Sequence, residues 1–165
     1  VPVRGGDTTR ADAVMLSVTA LGSSDCVPGR AGARVGDLLV VTGPLGAAGA
    51  AFRAGRLARP PIRLDEGRRL AAVASAMLDI SDGLAVDAGH IAHRSGCRVA
   101  IELERVPLAD GATLEDVGFG EDYELLAATS DPLGFTVIGR CEAGEGVHVT
   151  LAGEPVELFG WEHFR

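Results

Sequence analysis

The chain has 165 residues, 47% of them hydrophobic but only 4% aromatic, and a formal net charge of −8. That length supports one domain with a real core, built mainly from Ala, Val and Leu. The negative charge argues against nucleic acid or an anionic membrane as partner. The complete absence of Lys excludes a Walker-type or Schiff-base lysine and leaves all cationic work to Arg.

Cys26, Cys97 and Cys141 are far apart, odd in number and form no CxxC. This disfavours a zinc site or a disulfide framework and points to a reducing compartment, hence the cytoplasm. No apolar run reaches the length of a membrane span and no signal peptide is visible. The chain opens at Val1 in strand-like sequence, so we expect it to be part of a longer protein.

Gly5-Gly6-Asp7-Thr8-Thr9-Arg10 joins two glycines, which allow close backbone approach, to several oxygen donors and a guanidinium. The same residues are good β-turn chemistry, and alone the turn is favoured. Alternation over Val14 to Leu21 predicts a buried strand, followed by a loop, 22–36, that carries Arg30 and Arg34. Asp37 to Thr42 reads as a second strand. It leads through Gly43-Pro44-Leu45-Gly46 into an Ala-rich helix ending near Arg56. Strand, Gly-rich turn and helix could bind an anion, but tight helix packing is the favoured explanation. After the extended linker Arg59 to Arg63, Asp65 reads as the N-cap of a helix buried through Leu70, Val73, Ala74 and Met77.

The densest chemistry lies at Asp79-Ile80-Ser81-Asp82-Gly83-Leu84. A helix is predicted over Leu84 to Ser95, because Leu84, Ala88, Ile91 and Ala92 share one face. Asp87, His90 and Arg94 share the polar face and are expected to be solvated, with Asp87 also able to support a metal site at the motif from behind. Two carboxylates and a hydroxyl thus crowd one turn at a helix N-terminus. Carboxylates repel a phosphate, whereas Mg²⁺ bridges one or two carboxylates to phosphate oxygens. A single acid here would be read as a cap. Three oxygen side chains within four residues favour a metal site. A calcium-binding EF-hand does not fit, because its twelfth position falls on His90.

Further strands are predicted at Cys97 to Leu103, Leu125 to Thr129, Phe135 to Arg140 and Val147 to Leu151, with a loop or short helix over 107–117. The last strands, joined by Gly144-Glu145-Gly146, are expected to run antiparallel. Gly120-Glu121-Asp122-Tyr123-Glu124 enters a strand as an acidic segment, either facing a site or forming an exposed turn. Trp161 could stack on a ligand or seal the core, with core the default. The pattern predicts an α+β domain: a layered, mixed β-sheet with packed helices.

Gly5-Gly6-Asp7-Thr8, Ser17 to Gly22, Met77 to Leu84, Gly120 to Leu126 and Gly160-Trp161-Glu162-His163-Phe164, in this order, resemble the thiamine-monophosphate kinase family. That family belongs to the aminoimidazole ribonucleotide synthetase-like superfamily. The resemblance implies ATP-dependent phosphorylation of thiamine monophosphate to thiamine diphosphate, by direct transfer with several Mg²⁺ ions. It further implies Asp7, Asp79 and Asp82 as Mg²⁺ ligands, with Gly6, Asp7, Arg30 and Ser81 on the ATP side. Glu121 and Trp161 would hold the thiamine moiety. Residues 1–23 would be the end of an N-terminal ATP-binding and dimerisation domain, and residues 24–165 the C-terminal domain of a homodimer. The rival expectations are another ATP-using superfamily member and a non-catalytic nucleotide- or metal-binding module.

Overall fold

The computed structural model describes residues 2–161. Seven strands form one mixed sheet: β1 (Leu38–Val41), β2 (Ala74–Asp79), β3 (Arg98–Glu102), β4 (Leu125–Thr129), β5 (Thr136–Glu142), β6 (Gly146–Leu151) and β7 (Glu154–Pro155). Three α-helices accompany it: α1 (Ala47–Arg53), α2 (Leu64–Ala71) and α3 (Leu84–Ser95). Two 3-10 turns lie at Leu103–Arg105 and Leu114–Gly118. The strand order is β2-β4-β1-β5-β3-β6-β7. All neighbours are antiparallel except β3 and β6. The expected α+β class with a mixed sheet is observed.

Alternation along the inner strands separates two apolar clusters. Leu39, Val41, Ala76, Leu78, Leu126 and Ala128 join the α3 helix residues Leu84, Ala88, Ile91 and Ala92 in the main core. Val40 and Ala127 join Leu70 of α2 in a smaller one. Both faces of β1 and β4 are therefore covered, which is why their sequences, LLVV and LLAAT, are nearly continuous apolar runs. Each fully buried Leu, Val or Ile contributes about 1.5–3 kcal/mol. The predicted limits of α3 and β4 agree with the structure.

Three expectations change. The helix foreseen from Asp65 to Met77 ends at Ala71, and Ala74–Asp79 is β2 instead. Its residues satisfy both helical and alternating spacing, and the backbone ladder to β4 decides for strand. Arg63, not Asp65, is the N-cap; Asp65 and Glu66 occupy the first turn, at the positive end of the helix dipole. The last long strands are not neighbours, since β3 lies between β5 and β6 and pairs with both.

The strand foreseen at Val14 to Leu21 is not formed. Val14, Met15, Leu16, Val18 and Leu21 are all exposed and outside the sheet. An alternating apolar pattern becomes a strand only where a neighbour supplies the other half of the ladder, and none of the seven strands does so. Docking begins further on: the Cys26 thiol donates to the Ala71 carbonyl, the Met77 N–H to the Gly29 carbonyl and the Ala33 N–H to Ser95 Oγ. Among the described residues, no helix is long and apolar enough to cross a membrane. Glu162, His163 and Phe164 of the aromatic end lie outside the described residues.

All three cysteines are free thiols; Cys97 and Cys141 are buried and Cys26 is exposed. Burial and the adjacent Cys97 push the Cys141 thiol up to about 12. The stability linked to this proton is intact below the ordinary thiol value and is lost as pH climbs through the raised one. A chromogenic disulfide reagent at pH 8 should therefore titrate one fast thiol, Cys26, in the native protein and all three in denaturant. A second fast thiol would show that the β3–β5 core opens readily.

Candidate functional site

The β2–β4 ladder continues past the strand ends into two loops. The Ile80 N–H donates to the Glu124 carbonyl (2.8 Å), the Tyr123 N–H to the Ile80 carbonyl (2.9 Å) and the Glu121 N–H to the Ser81 carbonyl (2.9 Å). On its other side the motif meets the chain end, where the Trp161 N–H donates to the Asp82 carbonyl (2.8 Å). Glycines permit this crowding. A Cβ on Gly83 would lie 2.6 Å from the Gly118 carbonyl oxygen, and one on Gly160 would lie 2.7 Å from that of Asp82. A Cβ on Gly120 would collide with the Ser81 carbonyl, and one on Gly118 with that of Phe159. Gly120 also has φ +81°, in the left-handed region.

Asp87 organises the turn from behind. It is buried, and its Oδ2 accepts the N–H groups of Ser81 (3.0 Å) and Asp82 (2.9 Å). Burial raises its carboxyl above the ordinary range, against the lowering effect of those two amides. The solvated reading of Asp87 is thus corrected: its carboxylate is turned in toward the amides of the motif. One ligand atom each of Asp82, Asp87 and His90 lies within 4.8 Å of the others, which makes them a candidate cation site of the described residues.

The acidic segment divides by residue. Glu121 (φ 60°) and Tyr123 (φ 53°) occupy the left-handed region, a strain of order 1 kcal/mol each that clusters at functional sites. Both line the cleft described below. Asp122 and Glu124 instead turn inward and are buried. Asp122 accepts the N–H groups of Gly46 (2.7 Å) and Ala48 (3.1 Å) at the start of α1, and burial raises its carboxyl. The anion at the Gly43–Gly46 turn is therefore the protein's own carboxylate. Glu124 takes both ends of the Arg63 guanidinium (2.7 and 2.6 Å) and the Thr42 hydroxyl. The Tyr123 phenol is held above its ordinary value by burial and then by Glu121 and Asp79, with a smaller effect from Asp82.

These loops, α1 and the segment after it enclose a cleft of about 960 Å³. Ser81, Asp82, Glu121 and Trp161 of the sequence-predicted set all line it. Trp161 is 61% exposed, which corrects the core default. Asp79, half-buried at the end of β2, lies close enough to Tyr123 to act on its phenol. Gly6, Asp7 and Arg30 are not brought to the cleft. Asp7 accepts only the N–H of its neighbour Thr8 among described residues, and nothing approaches Gly6 within 4 Å of a Cβ position. The Arg30 carbonyl meets Ser95, at the far end of α3 and about 18 Å of helix from the motif.

Sequence reasoning missed Phe52, Arg53, Arg56 and Phe119, which also line the cleft. Arg53 is anchored to Asp116 through Nε–Oδ1 (3.3 Å) and Nη2–Oδ2, and this pair holds the Asp116 carboxyl below its ordinary range. The available signal was scarcity: Phe52, Phe119, Tyr123, Phe159 and Trp161 share one cleft, in a chain with five Phe, one Tyr and one Trp.

Sheet-end loops that surround an acidic, aromatic-walled cleft make this an α+β domain with a candidate small-molecule site. Residues 34–156 match the family model described as AIR synthase related protein, C-terminal domain. The chain belongs to that family. It is 35% identical to the thiamine-monophosphate kinase of Aquifex aeolicus, over 98% of this chain and 63% of that protein. It is 34% identical to that of Pyrococcus abyssi, over 96% of this chain and 60% of that protein. The solved structure of AaThiL complexed with AMPPCP and TMP matches with a TM-score of 0.69 and 35% identity, over 83% of this chain and 54% of that one. The chain thus spans about three fifths of the length of the curated relatives it matches.

Gly120→Ala should cost several kcal/mol, because a left-handed backbone and a backbone collision coincide there. Gly153→Ala has a similar φ of +84° with open space around it, so it should cost only about 1 kcal/mol. Urea midpoints compare the two; equal losses would show that the loop junction yields.

Proposed function

We propose that the chain forms the C-terminal part of a Mg²⁺-dependent thiamine-monophosphate kinase, which transfers the terminal phosphoryl group of ATP directly to thiamine monophosphate and yields thiamine diphosphate. The observation that carries this reading is the convergence of Ser81, Asp82, Glu121 and Trp161 on one cleft, in a chain that resembles a kinase solved with AMPPCP and TMP.

Phosphoryl transfer between two anions demands positioning and charge neutralisation more than covalent chemistry. The donor set suits a hard cation: Asp79 and Asp82 stand three residues apart on the motif, and Asp82, Asp87 and His90 bring one ligand atom each within 4.8 Å of the others. On this reading Asp79 and Asp82 hold Mg²⁺, which when bound neutralises phosphate charge and draws donor and acceptor together. Asp87 keeps the Ser81 and Asp82 amides in place, and the Ser81 hydroxyl contacts ATP. Glu121 and Trp161 receive the thiamine moiety. Gly6, Asp7 and Arg30 belong to the ATP side. Residues 1–23 are assigned to an N-terminal ATP-binding and dimerisation domain of a homodimeric cytoplasmic enzyme. A second reading, a non-catalytic nucleotide- or metal-binding module, is favoured by one observation: Asp7 does not line the cleft that Asp82 lines. Assay of thiamine diphosphate formation by this chain, alone and within the full-length protein, separates the two.

In the full-length protein Asp82→Asn should lower kcat by at least about 10²-fold with an unchanged melting temperature. Near-normal turnover would remove Asp82 from metal binding. Trp161→Ala should raise KM for thiamine monophosphate several-fold more than KM for ATP. Equal effects on both would count against a ring contact at Trp161.

A further inference from the structure

Phe52, at the end of α1, and Phe119, after the second 3-10 turn, stack with ring centroids 5.1 Å apart and planes tilted by 31°. Both rings are substantially open to solvent, at 65% and 39% exposure. Single exposed phenylalanines call for no explanation, but these two form one aromatic surface in the wall of the cleft. The elements that carry them are also joined directly. Their sequence neighbours Arg53 and Gly118 lie in elements locked together by the Arg53–Asp116 ion pair. Gly49 of α1 packs directly on Asp116. Two aromatic faces, fixed before any ligand arrives, make an inexpensive stacking platform.

Thiamine monophosphate has two rings. The cationic thiazolium bears the phosphorylated arm, and a methylene joins it to a neutral aminopyrimidine. Trp161 and Tyr123 are both hydrogen-bonded through their backbones to the acidic motif, at Asp82 and Ile80, and of the two Trp161 offers the larger ring face. Trp is also the best face for a cation. The charged ring, whose phosphate must reach that motif, therefore belongs with Trp161, and the neutral ring extends along the cleft.

Resting on the kinase reading, we infer that the Phe52–Phe119 pair is a second ring-binding surface, which receives the aminopyrimidine and selects a two-ring acceptor over a single thiazolium phosphate. Of the acidic groups in the cleft wall, Glu115 and Glu121 complement the positive charge of the thiazolium ring.

The test uses the full-length protein and two acceptors: thiamine monophosphate, and an N-methylated thiazolium monophosphate that keeps the cation and the phosphate arm but lacks the pyrimidine. Phe52→Leu/Phe119→Leu should raise KM for thiamine monophosphate about tenfold. KM for the one-ring acceptor and for ATP should stay within about twofold. Phe52→Tyr/Phe119→Tyr, which keeps both rings, should restore the preference for two rings. An unchanged KM for thiamine monophosphate, or equal losses for both acceptors in a variant with native melting temperature, would overturn the inference while leaving the kinase reading intact. Failure of the wild-type protein to phosphorylate thiamine monophosphate would overturn both.

Discussion

The contact on which the site depends is backbone packed against backbone, with no side chain between. The turn after β2, the loop before β4 and the segment leading to Trp161 approach one another through Gly83, Gly118, Gly120 and Gly160. Any Cβ at these points would strike a neighbouring main chain. The consequence is positional precision: the Asp82 carbonyl receives the Trp161 N–H, and the Ser81 carbonyl receives the Glu121 N–H. Three segments distant in sequence are thereby fixed around one cleft by hydrogen bonds that cannot slip without breaking a ladder. Their relative placement is a property of the backbone, which makes it stiffer than any arrangement that depends on long side chains.

That junction would fail without internal anions to satisfy its free amides. Asp87 serves the amides of Ser81 and Asp82, and Asp122 those at the start of α1. Arg63 satisfies Glu124, and Arg53 satisfies Asp116. Among the described residues no buried side-chain nitrogen or oxygen lacks a partner. This division of labour explains how so acidic a chain tolerates carboxylates in its core. Each buried one is matched by amides or a guanidinium, because an unmatched charge there would cost several kcal/mol. Asp79, Asp82 and Glu121 are less buried, and Asp82 and Glu121 line the cleft.

Much of the fold was legible because local pattern and tertiary environment agree. The apolar stripe of α3 and the apolar run of β4 each admit one interpretation, and both appear where expected. Ambiguity arose where two periods coexist, as in 73–78, and where the deciding partner is remote in sequence. Val14 to Leu21 carries a good strand pattern, yet a strand is a property of pairs. The motifs around Asp79 and Glu121 were visible as clusters of oxygen donors. Their internal roles were not, since nothing in Glu121-Asp122-Tyr123-Glu124 says which acids turn inward; left-handed backbone at Glu121 and Tyr123 sets that. Phe52 was invisible as a site residue because its partner, Phe119, lies far along the chain and only the packing of α1 on the second 3-10 turn unites them.

Charge also constrains what can enter the cleft. Asp82, Glu115, Asp116 and Glu121 face Arg53 and Arg56, and Arg53 is already neutralised by Asp116. A bare phosphate ester therefore meets a net repulsive field whose local strength low-dielectric walls increase. If the kinase proposal holds, a cationic ring would relieve part of this and a divalent cation the rest, so that metal and phosphorylated acceptor would each improve the site for the other. On the proposed function this coupling has a protective side. With the cation absent, the acids that would hold it disfavour a phosphorylated acceptor, so a non-productive complex is penalised by the same residues that favour the productive one.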